Sequence, residues 1–124
     1  MRTWQIDVFG IEHLKCVDGP TPTPGPGEVL VQLQALSLNY RDVLVVSGRY
    51  NPKLVLPAVP LSDGAGIVQA VGSGVTRVKK GDHVVSHFIA GWLDGPFDLR
   101  YRRTTLGTPG AGLAAEQVVL PADA

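Results

Sequence analysis

The stretch Glu28-Val-Leu-Val-Gln-Leu-Gln-Ala-Leu-Ser-Leu38, followed by Asn39-Tyr-Arg-Asp42, decides the fold of this chain. Apolar residues recur at every second position of its first part, at Val29, Val31, Leu33 and Ala35. That period of two predicts a strand with one buried face, with the two glutamines on the other face. Leu36 and Leu38 make the second face apolar as well, so we expect the end of the strand to be buried on both sides.

A helix start is predicted where this strand ends. Asn39 has the side chain of a helix N-cap, and Asp42 three residues later can complete a capping box. Gly48 is a natural stop for the helix, and the β-branched residues before it keep the helix short. The fold holds the backbone of such a junction while its polar side chains face outward, so the junction is a candidate site.

Turn-forming residues are frequent throughout the chain. Fifteen Gly and ten Pro among 124 residues separate short apolar runs, which is typical of a mainly β fold in a single domain. We predict a partly open β-barrel with one or two short helices. The segment Gly91–Gly112 has no clear period and is predicted to be a long excursion on the surface. Strands are expected at Thr3–Phe9, Leu14–Val17, Glu28–Leu38, Ser62–Val71, His83–Phe88 and Ala115–Leu120, with a returning hairpin strand at Val75–Val78 after the turn Gly72–Gly74.

Charge and cysteine content exclude several classes of function. Eleven basic and eleven acidic residues cancel, which argues against nucleic acid as a partner. The basic cluster Arg100, Arg102 and Arg103 is expected to be a solvated loop rather than a polyanion site. The single cysteine, Cys16, allows neither an internal disulfide nor a cysteine-rich zinc site. No segment resembles a membrane span or a secretion signal, so we expect a cytoplasmic protein without membrane contact.

Four motifs in register resemble those of one family. They are Pro26-Gly-Glu-Val-Leu-Val31, Ala35–Gly48, Ser62-Asp-Gly-Ala-Gly-Ile-Val-Gln-Ala-Val-Gly72 and Val78-Lys-Lys-Gly-Asp-His-Val84. Their order and spacing are similar to those of the medium-chain dehydrogenase/reductase superfamily, in its N-terminal GroES-like catalytic domain, over nearly the whole chain. Leu38–Asp42 and Gly91–Gly95 most resemble the zinc-free branch of quinone-oxidoreductase-like, NAD(P)-dependent alcohol dehydrogenases. Enoyl reductases of fatty-acid and polyketide synthases carry a similar Asn-aromatic-Arg-Asp element.

The resemblance implies a parent enzyme without zinc. Zinc-dependent members of the family have a cysteine ligand where this chain has Asn39, and their Gly-His-Glu element aligns with Leu61-Ser62-Asp63. Their relay Ser or Thr aligns with Arg41. A catalytic zinc needs three protein ligands, and neither ligand position here offers a thiolate or an imidazole. A metalloprotein that binds zinc through His13, His83 or His87 is therefore the last-ranked alternative.

The nucleotide-binding Rossmann domain of the family is absent from these residues. Gly64-Ala-Gly66 has Gln69 where a dinucleotide fingerprint has its third glycine, and it leads into a strand. We therefore expect residues 1–124 to be one GroES-like catalytic domain excised from a longer two-domain enzyme, with the missing Rossmann domain as its partner. NAD(P)H is the cofactor implied for the full-length parent, whereas this chain alone is expected to bind it only weakly.

Hydride transfer without zinc needs protein donors that polarise a carbonyl or enone oxygen. The candidate catalytic residues are Asn39, Tyr40 and Arg41. The candidates for a substrate pocket are Tyr50, Ser62, Asp63 and Trp92, and those for structural roles at the site are Asp42, Gly64 and Gly66. Structural alternatives are Asn39 as an N-cap only, Tyr40 packed at the strand end, and Asp42 bonded to Arg41 or to backbone amides.

The predicted function is that of the substrate-side domain of a zinc-independent NAD(P)H-dependent oxidoreductase, of the quinone or enone reductase or alcohol dehydrogenase type. Its substrate would be a small carbonyl, quinone or enone compound, and the chain alone is expected to be inactive. The alternative is a non-enzymatic GroES-like interaction module. Such a module would form a homo-oligomer through apolar surface that lacks its partner domain.

Overall fold

Six strands and three short helices form the structure, a computed structural model that describes all residues from Met1 to Ala124. The single α-helix, α1 (Tyr40–Val46), follows the third strand, and two 3-10 helices span Ile11–His13 and Leu99–Thr104. The prediction of a mainly β chain with short helices is confirmed. The strands are β1 (Arg2–Ile6), β2 (Leu14–Asp18), β3 (Glu28–Ser37), β4 (Asp63–Val71), β5 (His83–Val85) and β6 (Gln117–Pro121).

The strands form two antiparallel sheets. β1 and β2 pair as a hairpin, and the second sheet has the order β5-β4-β3-β6. Isolated bridges from Thr3 to Ala115 and from Ile6 to Ala58 hold the hairpin beside the larger sheet. The strands do not close into a full barrel, in agreement with the predicted partly open one. None of the helices reaches the length and hydrophobicity that a membrane crossing requires.

The hydrophobic core is built around the larger sheet. Val29 and Val31, two of the alternating positions of β3, are 5% and 2% exposed. Burial of an aliphatic side chain of this size contributes about 1.5–3 kcal/mol, which explains why β3 occupies a central position with β4 and β6 on its two sides. The other buried members of the core are Val68, Ala90, Leu106, Leu113, Val118 and Leu120.

The prediction that the end of β3 is buried on both sides is wrong. Leu36 is 40% exposed and Leu38 is 80% exposed. Alternation shows that both faces are apolar, but it does not show whether another part of the chain covers them. No other part of residues 1–124 covers Leu36 and Leu38 fully, so the end of β3 presents an apolar surface to solvent.

The prediction that Gly91–Gly112 is a surface excursion is also wrong for its second half. Leu106 is 4% exposed and Thr108 is 2% exposed. The Leu106 N–H donates to the carbonyl oxygen of Phe88 at 3.0 Å, and the neighbouring Leu113 N–H donates to that of Leu61 at 3.0 Å. Irregular backbone can be buried when distant groups pair with it in this way. The lack of a periodic pattern therefore concealed a core segment.

The strand predicted at Val75–Val78 does not form, because that segment pairs with no other strand. The ends of β3, β4 and β6 differ from the predicted ends by one or two residues, and β1 and β5 are each three residues shorter at their C-terminal ends than predicted. β1 ends at Ile6 rather than Phe9, because the chain then turns towards α1, where the Gly10 N–H donates to the carbonyl oxygen of Val46 at 2.9 Å. β5 ends at Val85 rather than Phe88. The Ser86 N–H still donates to Gly64 of β4, and from Phe88 onwards the chain pairs with the irregular segment around Leu106 instead.

Candidate functional site

A polar cluster lies where β3 ends and β4 begins. Antiparallel pairing places Ser37 opposite Asp63, the first residue of β4, and Asn39 lies two residues after the end of β3. The Asn39 Nδ2 donates a hydrogen bond of 2.7 Å to Asp63 Oδ2, and Ser62 Oγ donates one of 2.9 Å to the same oxygen. The fold therefore brings together three of the predicted site residues from the end of β3 and the start of β4.

The bond to Asp63 fixes the orientation of the Asn39 amide. The amide presents its NH₂ group to Asp63, since its Nδ2 is the donor of this bond. That group has two N–H donors and Asp63 uses one, while the residue as a whole remains exposed. The second N–H is thus held in place and available to the oxygen of a small molecule.

Asp42 stabilises the start of α1. The residue is only 6% exposed, and its Oδ2 accepts a hydrogen bond of 2.8 Å from the backbone N–H of Asn39. This is the carboxylate half of the predicted capping box, with Asn39 as the N-cap. Its other carboxylate oxygen, Oδ1, is buried without a hydrogen-bond partner in the chain. Of the two partners expected for Asp42, the structure shows the backbone amide.

The guanidinium of Arg41 lies within the fold rather than in an open cleft. Its Nε and Nη1 are buried without a partner, and its Nη2 donates to the carbonyl oxygen of Thr108 at 3.1 Å. Its Cζ lies 4.5 Å from the ring centroid of Tyr50 and 5.0 Å from that of Phe88. These cation–π contacts tie α1 to two other segments of the chain. The arrangement suits a positioning residue better than a bidentate ligand for an anion.

An apolar groove opens beside the polar cluster. It has a volume of about 800 Å³, and Asn39 and Asp42 are among the polar residues that line it. Pockets of this size with mostly apolar walls and a few polar groups are typical of small-molecule sites. The exposed end of β3 supplies part of the wall. The apolar lining includes Trp4, Ile11, Leu14, Leu36, Leu38, Val43 and Leu61.

The three predicted aromatic residues lie in different places. Tyr40, the first residue of α1, is 75% exposed, and Tyr50 is 48% exposed and stacks on Arg41. Trp92 packs edge-on against Phe97, with 5.2 Å between ring centroids, and its Nε1 donates to the carbonyl oxygen of Gly95 at 3.0 Å. Neither Tyr50 nor Trp92 lines the apolar groove.

Gly64 and Gly66 allow β4 to lie close to β3. A Cβ on Gly66 would lie 2.2 Å from the carbonyl oxygen of Gln32, and a Cβ on Gly64 would lie 3.1 Å from the Leu36 side chain. The register of the two strands shifts at the same level, between Leu33 and Ala35. Both glycines therefore shape the strand pairing behind the site, and neither opens a helix that could receive a phosphate.

The site does not have the donors of a zinc centre. No three His, Cys, Asp or Glu side chains are grouped closely enough to hold a metal ion. The donors gathered at the Asn39 cluster are an amide, a hydroxyl and a carboxylate, whereas tetrahedral zinc prefers thiolate and imidazole. His13, His83 and His87 are exposed and belong to no such group.

Shifted pKa values occur at surface ion pairs away from this cluster. The backbone N–H and then the guanidinium of Arg2 lower the pKa of Glu116, which lies 2.7 Å from that guanidinium. The backbone N–H and ammonium group of Lys79 lower the pKa of Asp82 in the same way. Exposed pairs of this kind contribute little to stability, and none of their residues lines the groove.

Comparison with known families gives a match to the alcohol dehydrogenase GroES-like domain over residues 25–124. The chain belongs to this family. The GroES-like domain is 44% identical, over 120 residues, to a zinc-type alcohol dehydrogenase-like protein of Schizosaccharomyces pombe, covering 95% of the chain and 34% of that protein. It is 38% identical, over 128 residues, to a chloroplastic quinone-oxidoreductase of Triphysaria versicolor, covering 98% of the chain and 39% of that protein.

Solved structures agree with this assignment of the GroES-like domain. A Sinorhizobium meliloti protein described as an alcohol dehydrogenase superposes with a TM-score of 0.87 at 41% identity, covering 98% of this chain and 37% of the other. A cobalt- and zinc-bound thermostable alcohol dehydrogenase of Pyrobaculum aerophilum superposes with a TM-score of 0.79 at 32% identity, covering 98% and 39%. The predicted membership of the medium-chain dehydrogenase/reductase superfamily is confirmed. The chain spans little more than a third of the length of these relatives.

Sequence reasoning missed several residues that shape the site. The carbonyl oxygen of Thr108 accepts a hydrogen bond from Arg41 Nη2, and its hydroxyl accepts one of 3.3 Å from the Asn51 side chain. Trp4 forms part of the groove although it comes from the N-terminal hairpin. No local pattern marks these residues, because their partners are far away in the sequence.

Proposed function

We propose that this GroES-like domain is the substrate-side part of an NAD(P)H-dependent oxidoreductase that acts, without zinc, on small carbonyl, quinone or enone compounds. The observation that carries the proposal is the hydrogen bond of 2.7 Å between Asn39 and Asp63. By resemblance, Asn39 occupies the position of a zinc-binding cysteine and Asp63 lies in the element that holds a histidine ligand. An amide–carboxylate pair thus occupies the region where zinc-dependent relatives hold the metal.

The cluster has the donor that carbonyl reduction needs. Negative charge develops on the substrate oxygen as the carbon accepts hydride, and a fixed hydrogen-bond donor stabilises that charge. The second N–H of the Asn39 amide is the donor best placed for this, since Asp63 holds the amide and the apolar groove adjoins it. The groove would take the apolar body of a quinone or enone.

Tyr40 is a second candidate donor in the proposed reaction. Its phenol can supply the proton that the substrate oxygen takes up after hydride transfer. The residue is exposed next to Asn39, so a partner domain could enclose it together with the substrate. When bound, the nicotinamide would supply the hydride, and residues outside this chain would hold most of the cofactor. Arg41 takes a positioning role through Tyr50 and Thr108.

A chimeric enzyme tests the proposal. Residues 1–124 would replace the matching N-terminal part of the Sinorhizobium meliloti protein, and NAD(P)H consumption would be followed with a ketone, a quinone and an enone. Asn39→Leu removes the donor and should lower kcat/KM by about a hundredfold. Gln34→Leu removes an exposed side-chain amide outside the groove and should leave kcat/KM unchanged.

Dialysis against a chelator forms the second arm of this experiment. The proposal expects the chimera to keep its activity after dialysis. Activity that disappears and returns with added zinc would contradict zinc independence, and an Asn39→Leu chimera as active as the parent would contradict the role of Asn39.

Self-association without enzymatic activity is the second candidate function, and the exposed apolar residues favour it. Leu38 is 80% exposed and Ile11 is 72% exposed, and both line the groove. Two copies of the chain could bury these surfaces against each other. Light scattering separates the candidates, since a single defined oligomer supports self-association and a monomer supports an enzyme domain that lacks its partner.

A further inference from the structure

A second pocket, of about 290 Å³, shares no lining residue with the apolar groove. Its lining is almost entirely polar: Tyr50, Asn51, Arg102, Arg103, Thr105, Thr108 and Pro109. Arg41 stacks on Tyr50 and donates to the carbonyl oxygen of Thr108, so it braces two of these residues. No Asp or Glu lines the pocket.

Arg102 and Arg103 differ from every other arginine of the chain. Neither guanidinium has an ion pair, a side-chain hydrogen bond or an aromatic ring within reach, although the chain has eleven acidic residues. The other five arginines each have a partner: Arg2 with Glu116, Arg41 with Thr108, Arg49 with Ser47, Arg77 with Asp123 and Arg100 with Asp98. Two adjacent unpartnered cations therefore face one pocket that carries no negative charge.

The remaining polar groups of the pocket add hydrogen-bond donors. Thr108 Oγ1 accepts from Asn51 Nδ2 at 3.3 Å, so its own O–H is free to donate. The Thr105 hydroxyl and the Tyr50 phenol can donate as well. A set of guanidinium and hydroxyl donors without a carboxylate is complementary to an oxyanion, because such an anion offers only acceptors.

The wall of the pocket is held by the backbone. The Gly110 N–H donates to the carbonyl oxygen of Thr105 at 2.9 Å, and the Gly107 N–H donates to that of Ala111 at 3.0 Å. A Cβ on Gly110 would lie 2.7 Å from the Thr105 carbonyl oxygen, so only glycine allows this close turn. A wall fixed in this way loses little entropy when a ligand binds.

We propose that this pocket is a binding site for an oxyanion, a phosphate monoester or a carboxylate, carried on a small organic molecule. The pocket volume corresponds to about ten water molecules, which is more than one phosphate group fills. Part of the organic carrier therefore enters with the anion and contacts the exposed ring of Tyr50. The site is separate from the Asn39 cluster, and its occupation requires no oxidoreductase activity.

Titration of the chain with phenyl phosphate, followed by amide NMR shifts, tests the proposal. Shifts should concentrate at Tyr50, Thr105 and Thr108, with a dissociation constant of about 1 mM or below at low salt. Binding should weaken several-fold between low and physiological salt because the guanidinium groups are exposed. Inorganic phosphate should bind at least about fivefold more weakly, since it lacks the carrier, and benzyl alcohol should cause no shifts there.

A pair of variants identifies the residues responsible. The double substitution Arg102→Gln/Arg103→Gln should weaken phenyl phosphate binding by about tenfold or more. Arg100→Gln lies on the same 3-10 helix, but Arg100 is outside the pocket, so this variant should bind like the parent. The proposed site would be wrong if phenyl phosphate binding weakened equally in both variants. It would also be wrong if the amide shifts of the parent chain were scattered over the surface. Equal affinity for inorganic and phenyl phosphate would overturn the organic carrier.

Discussion

Gly66→Ala is the substitution with the sharpest structural expectation. The new Cβ would lie 2.2 Å from the carbonyl oxygen of Gln32 and 2.8 Å from Val31 Cγ1, where ordinary contact begins at about 3.4 Å. Both obstacles belong to β3, the central strand, and the first is backbone. β3 and β4 must therefore separate locally, which weakens their hydrogen bonds and the packing of the core behind them.

The expected cost of Gly66→Ala is about 2–4 kcal/mol, because overpacking of this kind usually costs 1–3 kcal/mol and a backbone oxygen cannot rotate away. A domain of this size has a free energy of unfolding of about 5–15 kcal/mol, so the variant remains folded near room temperature. Its thermal midpoint should fall by about 10 °C. Circular dichroism during heating and urea titration would measure both quantities.

Two other glycines provide a graded control. Gly64→Ala would place a Cβ 3.1 Å from the side chains of Leu113 and Leu36, which can move, so its cost should be smaller, about 1 kcal/mol. Gly19→Ala meets nothing within 4 Å and should be neutral or stabilising by a few tenths of a kcal/mol. A thermal midpoint for Gly66→Ala within about 2 °C of that for Gly19→Ala would refute the reasoning from the β3–β4 approach.

Three further outcomes follow from contacts elsewhere in the domain. Asp42→Ala removes the acceptor of the Asn39 backbone N–H and should lower the free energy of unfolding, measured by urea titration, by about 1–2 kcal/mol. A change below about 0.3 kcal/mol would show that the helix cap contributes nothing. Leu113→Ala should cost about 2–5 kcal/mol because Leu113 is 0% exposed, whereas Leu99→Ala, at 72% exposure, should stay within about 0.5 kcal/mol. The folded pKa of Glu116 lies below its ordinary value of 4.5, so its contribution to stability is present above that pH and disappears as the pH falls through the folded pKa. The thermal midpoint of the parent should therefore approach that of Glu116→Gln as the pH falls. A difference between the two midpoints that stays constant from neutral pH to about pH 3 would contradict the predicted loss of stability in acid.

Much of the fold could be predicted because its signals are local. The alternation in Glu28–Leu38, the capping residues Asn39 and Asp42, and the stop at Gly48 each depend on neighbours within a few positions. The structure has β3 at Glu28–Ser37, α1 at Tyr40–Val46 and Gly48 at a φ of 75°. Local patterns of this kind keep their meaning whatever the rest of the chain does.

The candidate site was only partly predictable. Resemblance to the family pointed to Asn39, Ser62 and Asp63 as neighbours, and the hydrogen bonds to Asp63 Oδ2 join them. The placement of Trp92 in another part of the domain had no sequence signal, since its partners Gly95 and Phe97 form a local cluster of their own. Resemblance aligns positions along the chain, but it does not show which side chains share a cavity.

The sequence by itself determined the positions of six strands and the short helix, though not where β1 and β5 end, together with the family and the polar residues at the end of β3. Periodicity, capping and motif order are properties of neighbouring residues. Only the tertiary structure decided that Leu38 lies exposed, that Leu106 and Thr108 lie buried, and that Arg41 is enclosed by Tyr50 and Phe88. Burial is a relation between segments that are distant in the chain, and the free energy of covering a side chain depends on which segment reaches it. The apolar surface at the end of β3 and the pocket that Arg102 and Arg103 line exist only in the folded chain, because distant segments form them.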